Sequence, residues 1–155
     1  MELDRYQQAV DAFKQAIYFN RYYEEAYLFL GMLSSELGLY EEAIEAFKRA
    51  INLNSVYSIS QDHKQAIGIK PDYAEVNIAL GRAYAKVGRY TPAADAFRKA
   101  VAIKIDHARA HYGLGLTFLL LGDKDAALEQ YNQLLALGDN QRANTLLDVI
   151  HKRNK

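Results

Sequence analysis

The 155-residue sequence has no cysteine, no excess charge of either sign and no long apolar run. Without cysteine it cannot form disulfides, thiolate zinc sites or a cysteine nucleophile. Lys and Arg number 19, as do Asp and Glu, whereas a dedicated nucleic-acid binder usually carries a basic excess. The longest apolar stretch, 114–121, is far shorter than the ~20 residues that cross a bilayer, and no signal peptide is evident. We therefore expect no nucleic-acid partner, no membrane span and a cytoplasmic location.

The sequence does contain an internal repeat. Four segments carry an alanine, three further residues and then an aromatic, and three intervening segments are centred on a Leu-Gly pair. The alanine–aromatic pairs are Ala9/Phe13, Ala43/Phe47, Ala93/Phe97 and Ala127/Tyr131, and the Leu-Gly pairs are Leu30-Gly31, Leu80-Gly81 and Leu114-Gly115. Positions 9 and 43, 93 and 127, and 81 and 115 each differ by 34. A fixed period of this length indicates a repeat architecture.

Both segment types have apolar residues at helical spacing and are rich in good helix formers. Gly38, Gly88 and Gly122 each follow a helical pattern and are predicted to cap it in the left-handed conformation. The glycines of the Leu-Gly pairs lie inside helices at a cost of about 1 kcal/mol each, which is reasonable only if helices approach closely there. Phe47, Phe97 and Tyr131 are expected to fill the space beside them. Each unit is thus a helix A, a turn and a helix B, and we expect about nine helices and no sheet.

This pattern resembles the tetratricopeptide repeat family, which has a large residue, two others, Leu-Gly, two others, Tyr, then Ala, three others, Phe, and finally Pro. Asn77 and His111 depart from it at the large first position, Ser34 replaces the Tyr, and the final Pro is present only as Pro71. The resemblance implies an all-α, TPR-like α-solenoid, a right-handed superhelix of antiparallel helix pairs whose A helices line a concave groove. Some members hold chaperone C-termini with Lys, Asn and Arg. Only Arg109 matches that set, so we do not expect this clamp.

The repeat predicts six consecutive parts within one array. They are a partial unit with helix B only at 1–23, a repeat at 24–57, a degenerate or truncated remnant at 58–73, repeats at 74–107 and 108–139, and a C-terminal capping helix at 140–155. The period breaks once, because positions 43 and 93 differ by 50. The extra residues are either a degenerate repeat or an inserted loop that contacts a partner. We predict that 55–61 is irregular and that a short helix follows at 62–69.

The resemblance implies a protein–protein interaction scaffold that binds a peptide or extended segment in the groove. By analogy with the family, the groove candidates are Glu25, Leu28, Met32, Glu36, Ile78, Arg82, Lys86, Arg109, Tyr112 and Leu116. The alternative for the apolar ones is packing on neighbouring A helices. Residues 1–72 hold 11 acids and 7 bases, a net charge of −4, and residues 73–155 hold 8 and 12, a net charge of +4. We expect an acidic ligand near Arg82, Lys86 and Arg109.

A second function class stays open, in which the chain is a structural array that self-associates. Helix 3–19 carries an apolar stripe that includes Ala9 and Phe13 and has no helix A before it, so this helix would form a homo-oligomer edge. An enzyme is not expected, since we find no catalytic constellation and no phosphate loop after a strand. His107 and His111 are four apart but lack further ligands, so no metal or other cofactor is predicted.

Overall fold

The computed structural model describes residues 2–57 and 72–152, and these residues form eight α-helices and no strand. The expected all-α fold is confirmed. The helices are α1 Glu2–Phe19, α2 Glu24–Glu36, α3 Tyr40–Tyr57, α4 Tyr73–Lys86, α5 Tyr90–Ile103, α6 Ala108–Leu121, α7 Lys124–Ala136 and α8 Asn140–Lys152. The short helix expected at 62–69 lies outside the described residues. No described helix is long and apolar enough to cross a membrane.

Helix α2 packs on α1 and α3, α6 packs on α5 and α7, and α7 packs on α8. Helices α2, α4 and α6 are A helices, and α1, α3, α5 and α7 are B helices. Helix α8 packs on α7 and also on α6, where it closes the apolar faces of both. The chain divides into two compact units, Met1–Val76 and Asn77–Lys155. The division into repeats at the boundaries given above stays a prediction.

The turns follow the sequence signals at both ends of the helices. Gly38, Gly88 and Gly122 have φ angles of 75°, 76° and 84°, which confirms them as left-handed caps, and Gly138 at 76° has the same role. At helix starts the side chain of Asp123 accepts a hydrogen bond of 3.0 Å from the first turn of α7. Asp139 accepts one of 3.0 Å from the Arg142 backbone N–H in the first turn of α8 and so caps this helix. Both contacts satisfy backbone N–H groups that have no partner inside the helix.

In the first unit the predicted close approach of helix A to helix B is confirmed. A Cβ atom on Gly31 would lie 2.7 Å from the Phe47 ring, which is itself fully buried. Val10, Leu30 and Ala46 form an apolar cluster that joins α1, α2 and α3. The missing side chain of one helix is thus replaced by an aromatic ring of the next.

In the second unit the Phe97 ring lies between two A helices. Cβ atoms added at Gly81 in α4 and at Gly113 in α6 would lie 3.0 Å and 2.5 Å from it. The role of Gly113 was not predicted. Gly115 differs from the expectation, because its neighbours are Leu146 of α8 and the stem of Gln130. The expected packing of Tyr131 there is therefore wrong: α8 supplies a branched side chain that takes the place of the aromatic.

The end of α3 also differs from the prediction. Residues 55–57 were expected to be irregular, but α3 runs to Tyr57. The Ser55 hydroxyl donates a hydrogen bond of 2.8 Å to the Asn52 carbonyl, so its polar side chain is accommodated within the helical turn. Positions 58–61 of the predicted irregular segment lie outside the described residues.

Candidate functional site

The second unit presents basic side chains on its A helices. Arg82 and Lys86 lie one turn apart on α4 and are both exposed, and Arg109 is exposed in the first turn of α6. Residues four apart share a helix face, so Arg82 and Lys86 lie side by side. Within the described part of the chain, no ion pair engages Arg82 or Lys86. These cations therefore face solvent and can meet an anionic ligand.

Helices α4 and α6, which carry the basic residues, both pack against the Phe97 ring. The Phe97 ring contacts Gly81 of α4 and Gly113 of α6, so the two helices meet at this ring. On α6, Tyr112 and Leu116 are half-buried and pack partly on the core. Their open portions lie on the same helix as Arg109. The region thus combines exposed positive charge with partly open apolar surface, which is the composition of many binding sites.

Two candidate residues belong to the core. Ile78 is 4% exposed and lies in the cluster around Phe97, and Leu28 is 8% exposed. The side chains of both residues are covered by packing within the fold. This is the packing alternative that the sequence analysis left open. Leu28 and Ile78 therefore have little surface left for contact with a ligand.

The first unit exposes acidic and apolar groups on α2. Met32 is 55% exposed, Glu36 is exposed and Glu25 is half-buried. Tyr73, in the first turn of α4, donates a hydrogen bond to the carboxylate of Glu24. Burial, this hydrogen bond and the nearby carboxylates of Glu24 and Glu25 raise the pKa of the Tyr73 hydroxyl. The start of α2 is therefore an acidic region that keeps this tyrosine protonated.

The histidine candidate His111 is part of the packed interior. His111 is buried, with Nδ1 2.8 Å from the Gln130 side-chain oxygen and Nε2 2.8 Å from the Ile105 carbonyl oxygen. Both ring nitrogens are thus engaged by protein groups, which leaves neither available to a ligand. Within residues 2–57 and 72–152, no three His, Asp or Glu side chains are grouped as metal ligands.

The α1–α2 end of the first unit carries an aromatic pair that the sequence reasoning missed. The rings of Phe13 and Phe29 stack with centroids 5.4 Å apart, and Phe29 is 49% exposed. The positions equivalent to Phe29 in the other two A helices hold Ala79 in α4 and Gly113 in α6. A large aromatic at a position that is otherwise small was the signal that could have revealed this pair.

Taken together, the paired helices and the glycine–aromatic contacts define a helical-repeat protein. Two models of the tetratricopeptide repeat family match the chain, one at residues 24–57 and the other at 78–142, and together they span more than half of it. The chain belongs to the tetratricopeptide repeat family. Members of this family are generally protein-interaction modules and are typically non-catalytic.

Solved structures show the same fold. A crystal structure of MamA is 25% identical, with a TM-score of 0.80 over 96% of this chain and 78% of that chain. The crystal structure of the APC/C hetero-tetramer Cut9-Hcn1 is 22% identical, with a TM-score of 0.74 over 97% of this chain and 27% of that chain. The first TPR of Spaghetti (RPAP3), bound to the HSP90 peptide SRMEEVD, is 18% identical, with a TM-score of 0.67 over 84% and 91% of the two chains. No curated protein sequence matches significantly.

Proposed function

We propose that the protein is an interaction scaffold that binds an acidic peptide or extended segment on the A-helix face of its second unit. The observation that carries this proposal is the pair Arg82 and Lys86, which are exposed on one face of α4 and have no ion-pair partner in the described chain. Arg109 on the neighbouring α6 adds a third positive charge. Partly open Tyr112 and Leu116 supply apolar contact beside these charges.

The physical basis is a preformed surface. Both helices are fixed by the buried Phe97 ring, so little conformational entropy is lost when a ligand binds. Charge complementarity directs an acidic segment to this face and away from the acidic start of α2. The fold neighbour that holds the peptide SRMEEVD supports an acidic peptide as the ligand class. Glu25, Met32 and Glu36, on α2 of the first unit, stay a separate proposal as groove contacts of that unit.

The test uses the intact chain and fluorescently labelled SRMEEVD as the first probe. Fluorescence anisotropy is measured for the unmodified chain and for the double variant Arg82→Glu/Arg109→Glu. We expect saturable binding that weakens at least about tenfold in the variant and also weakens as salt is raised. The matched control is Lys99→Glu/Lys124→Glu, which makes the same charge change with exposed residues on B helices and should bind as the unmodified chain does.

Two further peptides sharpen the result. A charge-inverted peptide, SRMKKVK, should not bind, because the face is basic. A C-terminally amidated SRMEEVD should lose no more affinity than the loss of one negative charge entails, because only Arg109 matches the family's carboxylate clamp. The proposal is wrong if affinity is the same for both double variants, or if salt has no effect on binding.

A second candidate function is an assembly module that acts through the α1–α2 end. The observation that favours it is the half-buried Phe13 stacked on the exposed Phe29. Analytical ultracentrifugation at several concentrations tests self-association of the chain directly. A strict monomer at high micromolar concentration, with Phe13→Glu changing only stability, would exclude a homo-oligomer at this edge.

A further inference from the structure

The basic face of the second unit has an apolar counterpart on the following A helix. Tyr112, Leu116 and Leu120 are spaced four residues apart along α6, so their side chains share one helix face. Leu120 is 40% exposed, and Tyr112 and Leu116 are half-buried. Arg82 and Lys86 have the same spacing on α4 and are both exposed. Each of these helices thus carries one row of similar side chains, a cationic row on α4 and an apolar row on α6.

Helices α4 and α6 meet at a single atom of the Phe97 ring. A Cβ atom added at Gly81 in α4 would lie 3.0 Å from Cζ of Phe97, and one added at Gly113 in α6 would lie 2.6 Å from the same atom. The absence of side chains at both glycines allows this approach. The cationic row and the apolar row therefore belong to one continuous surface of the second unit.

The two rows are also in register. The turns that join α4 to α5 and α5 to α6 are short, so neighbouring helices are antiparallel and α4 and α6 run in the same direction. Positions 82 and 116 differ by 34, the length of one repeat, and so do positions 86 and 120. Arg82 is therefore matched by Leu116 across the surface. In the same way Lys86 is matched by Leu120, so a ligand that lies along the surface meets this pair of opposites twice.

We propose that this surface selects an extended segment in which acidic and apolar side chains alternate. The inference rests on the acidic-peptide function proposed above and specifies the residue pattern of its ligand. Successive side chains of an extended chain point to opposite sides, and those two residues apart are separated by about 6.4–6.8 Å. Side chains four residues apart on a helix are separated by about 6 Å along its axis. Acidic side chains at alternate positions therefore match Arg82 and Lys86. The apolar side chains between them match Leu116 and Leu120.

The same geometry disfavours other arrangements of the same residues. A continuous acidic run would place every second carboxylate against the apolar row, where it loses hydration and gains no partner. A helical ligand turns only one face towards the surface, and its acidic residues would need intervals of three or four. An extended chain instead directs side chains to both rows at once. The order of the residues in the ligand, and not only its net charge, should therefore determine affinity.

The test compares three labelled peptides of identical composition and net charge. They are the alternating peptide SGDLDLDLGS, the block isomer SGDDDLLLGS and the isomer SGDLLDDLGS, in which the acids have helical spacing. All three have blocked ends, and their binding to the intact chain is measured by fluorescence anisotropy. We expect the alternating peptide to bind at least about tenfold more tightly than either isomer, because it alone satisfies both rows.

Variants of the chain test the apolar row. Leu120→Lys makes the exposed end of this row cationic, which favours the block isomer, so the preference for the alternating peptide should fall below about threefold. The matched control is Leu121→Lys, which adds the same charge at a neighbouring leucine that is 44% exposed and lies outside the row. It should leave the preference unchanged. Both leucines are exposed, so both variants should fold, and circular dichroism checks this.

The outcomes separate this inference from the function on which it rests. Equal affinity of the three peptides, with each weakened by Arg82→Glu/Arg109→Glu, would overturn the alternating pattern and leave the acidic-peptide function intact. Tightest binding of the isomer with helical spacing would replace the extended ligand by a helix. A preference that survives Leu120→Lys would also overturn the inference, because the apolar row would not be its source. If the double variant weakens none of the peptides, the inference and the function both fall.

Discussion

The contact of Gly31 in helix A with the Phe47 ring in helix B of the first unit predicts the effect of adding a single methyl group. In the variant Gly31→Ala, the new Cβ atom would lie 2.7 Å from Cδ1 and Cε1 of Phe47 and 3.0 Å from Cζ. Carbon atoms are in favourable contact at about 3.5–4.0 Å. Because Phe47 is fully buried, neither its ring nor α2 can move without disturbing the surrounding core.

Two effects of opposite sign determine the stability of this variant. Alanine is favoured over glycine inside a helix by about 1 kcal/mol. Overpacking a core typically costs about 1–3 kcal/mol. For a new methyl group 2.7 Å from a rigid ring we take an overpacking cost in the middle of that range, about 2 kcal/mol. After the gain in helix propensity is subtracted, we expect Gly31→Ala to lower the free energy of unfolding by about 1 kcal/mol. Gly81→Ala is the matched control, because its Cβ would meet the Phe97 ring at 3.0 Å and the two effects should nearly cancel.

The assay is urea unfolding of the intact chain at 25 °C, followed by circular dichroism at 222 nm. A double-mutant cycle with Phe47→Leu isolates the contact, since a smaller and more flexible side chain should accept the methyl group. Gly31→Ala should then be neutral or stabilising in the Phe47→Leu background. If Gly31→Ala stabilises the unmodified chain by about 1 kcal/mol, helix propensity alone governs the site and the packing argument is wrong.

Three further predictions concern helix starts and titratable groups, each measured by thermal or urea unfolding. Asp123→Ala should lower stability by about 1 kcal/mol, because the first turn of α7 loses its side-chain cap. The pKa of Tyr73 is raised by burial and by its hydrogen bond to Glu24. The stability that the protonated hydroxyl contributes is therefore present below pH 10 and is lost as the pH rises further. The variant Tyr73→Phe should reduce this alkaline loss of stability. Hydrogen bonds from the backbone and side chain of Arg142 lower the pKa of Asp139. The stability that the Asp139 carboxylate contributes is present above pH 3.8 and is lost on further acidification. In Asp139→Asn the free energy of unfolding should therefore fall less steeply as the pH is lowered.

The repeat register predicted those features that follow from spacing alone. Helices, left-handed glycines and the contacts of Gly31 and Gly81 with aromatic rings are all local or depend on one neighbouring helix. They could be predicted because a glycine inside a helix is unfavourable unless another group occupies the space beside it. Gly115 shows the limit of this reasoning, since Leu146 of α8 took the place assigned to an aromatic of α7.

The exposed face was harder to predict than the fold. Leu28 and Ile78 occupy groove positions by analogy, yet both are buried, whereas Met32 and Arg82 are exposed. Repeat spacing gives the direction of a side chain relative to its own helix but not the depth at which neighbouring helices cover it. That depth depends on the size of residues elsewhere in the chain. Phe29, which stacks on Phe13 at a position that is small in the other repeats, is a further example.

Two departures from the family pattern, Ser34 and His111, are compensated by polar residues outside the motif. Ser34, which replaces a tyrosine, is fully buried and donates a hydrogen bond of 3.2 Å to Glu42, which pairs with Lys14 at 2.6 Å. A buried polar atom without a partner costs about 1–3 kcal/mol, so the serine is tolerated only because Glu42 lies on the next helix. His111 follows the same rule through Gln130.

These pairs are coupled replacements, and a motif that scores each position separately records them only as mismatches. Restoring the family tyrosine at position 34 by itself would place a bulky ring where a hydroxyl now fits and would remove the hydrogen bond that holds Glu42. It would bring the sequence closer to the family pattern while disturbing the packing and polar contacts of the fold. Similarity to the pattern is therefore a guide to the fold of this chain but a poor guide to its stability.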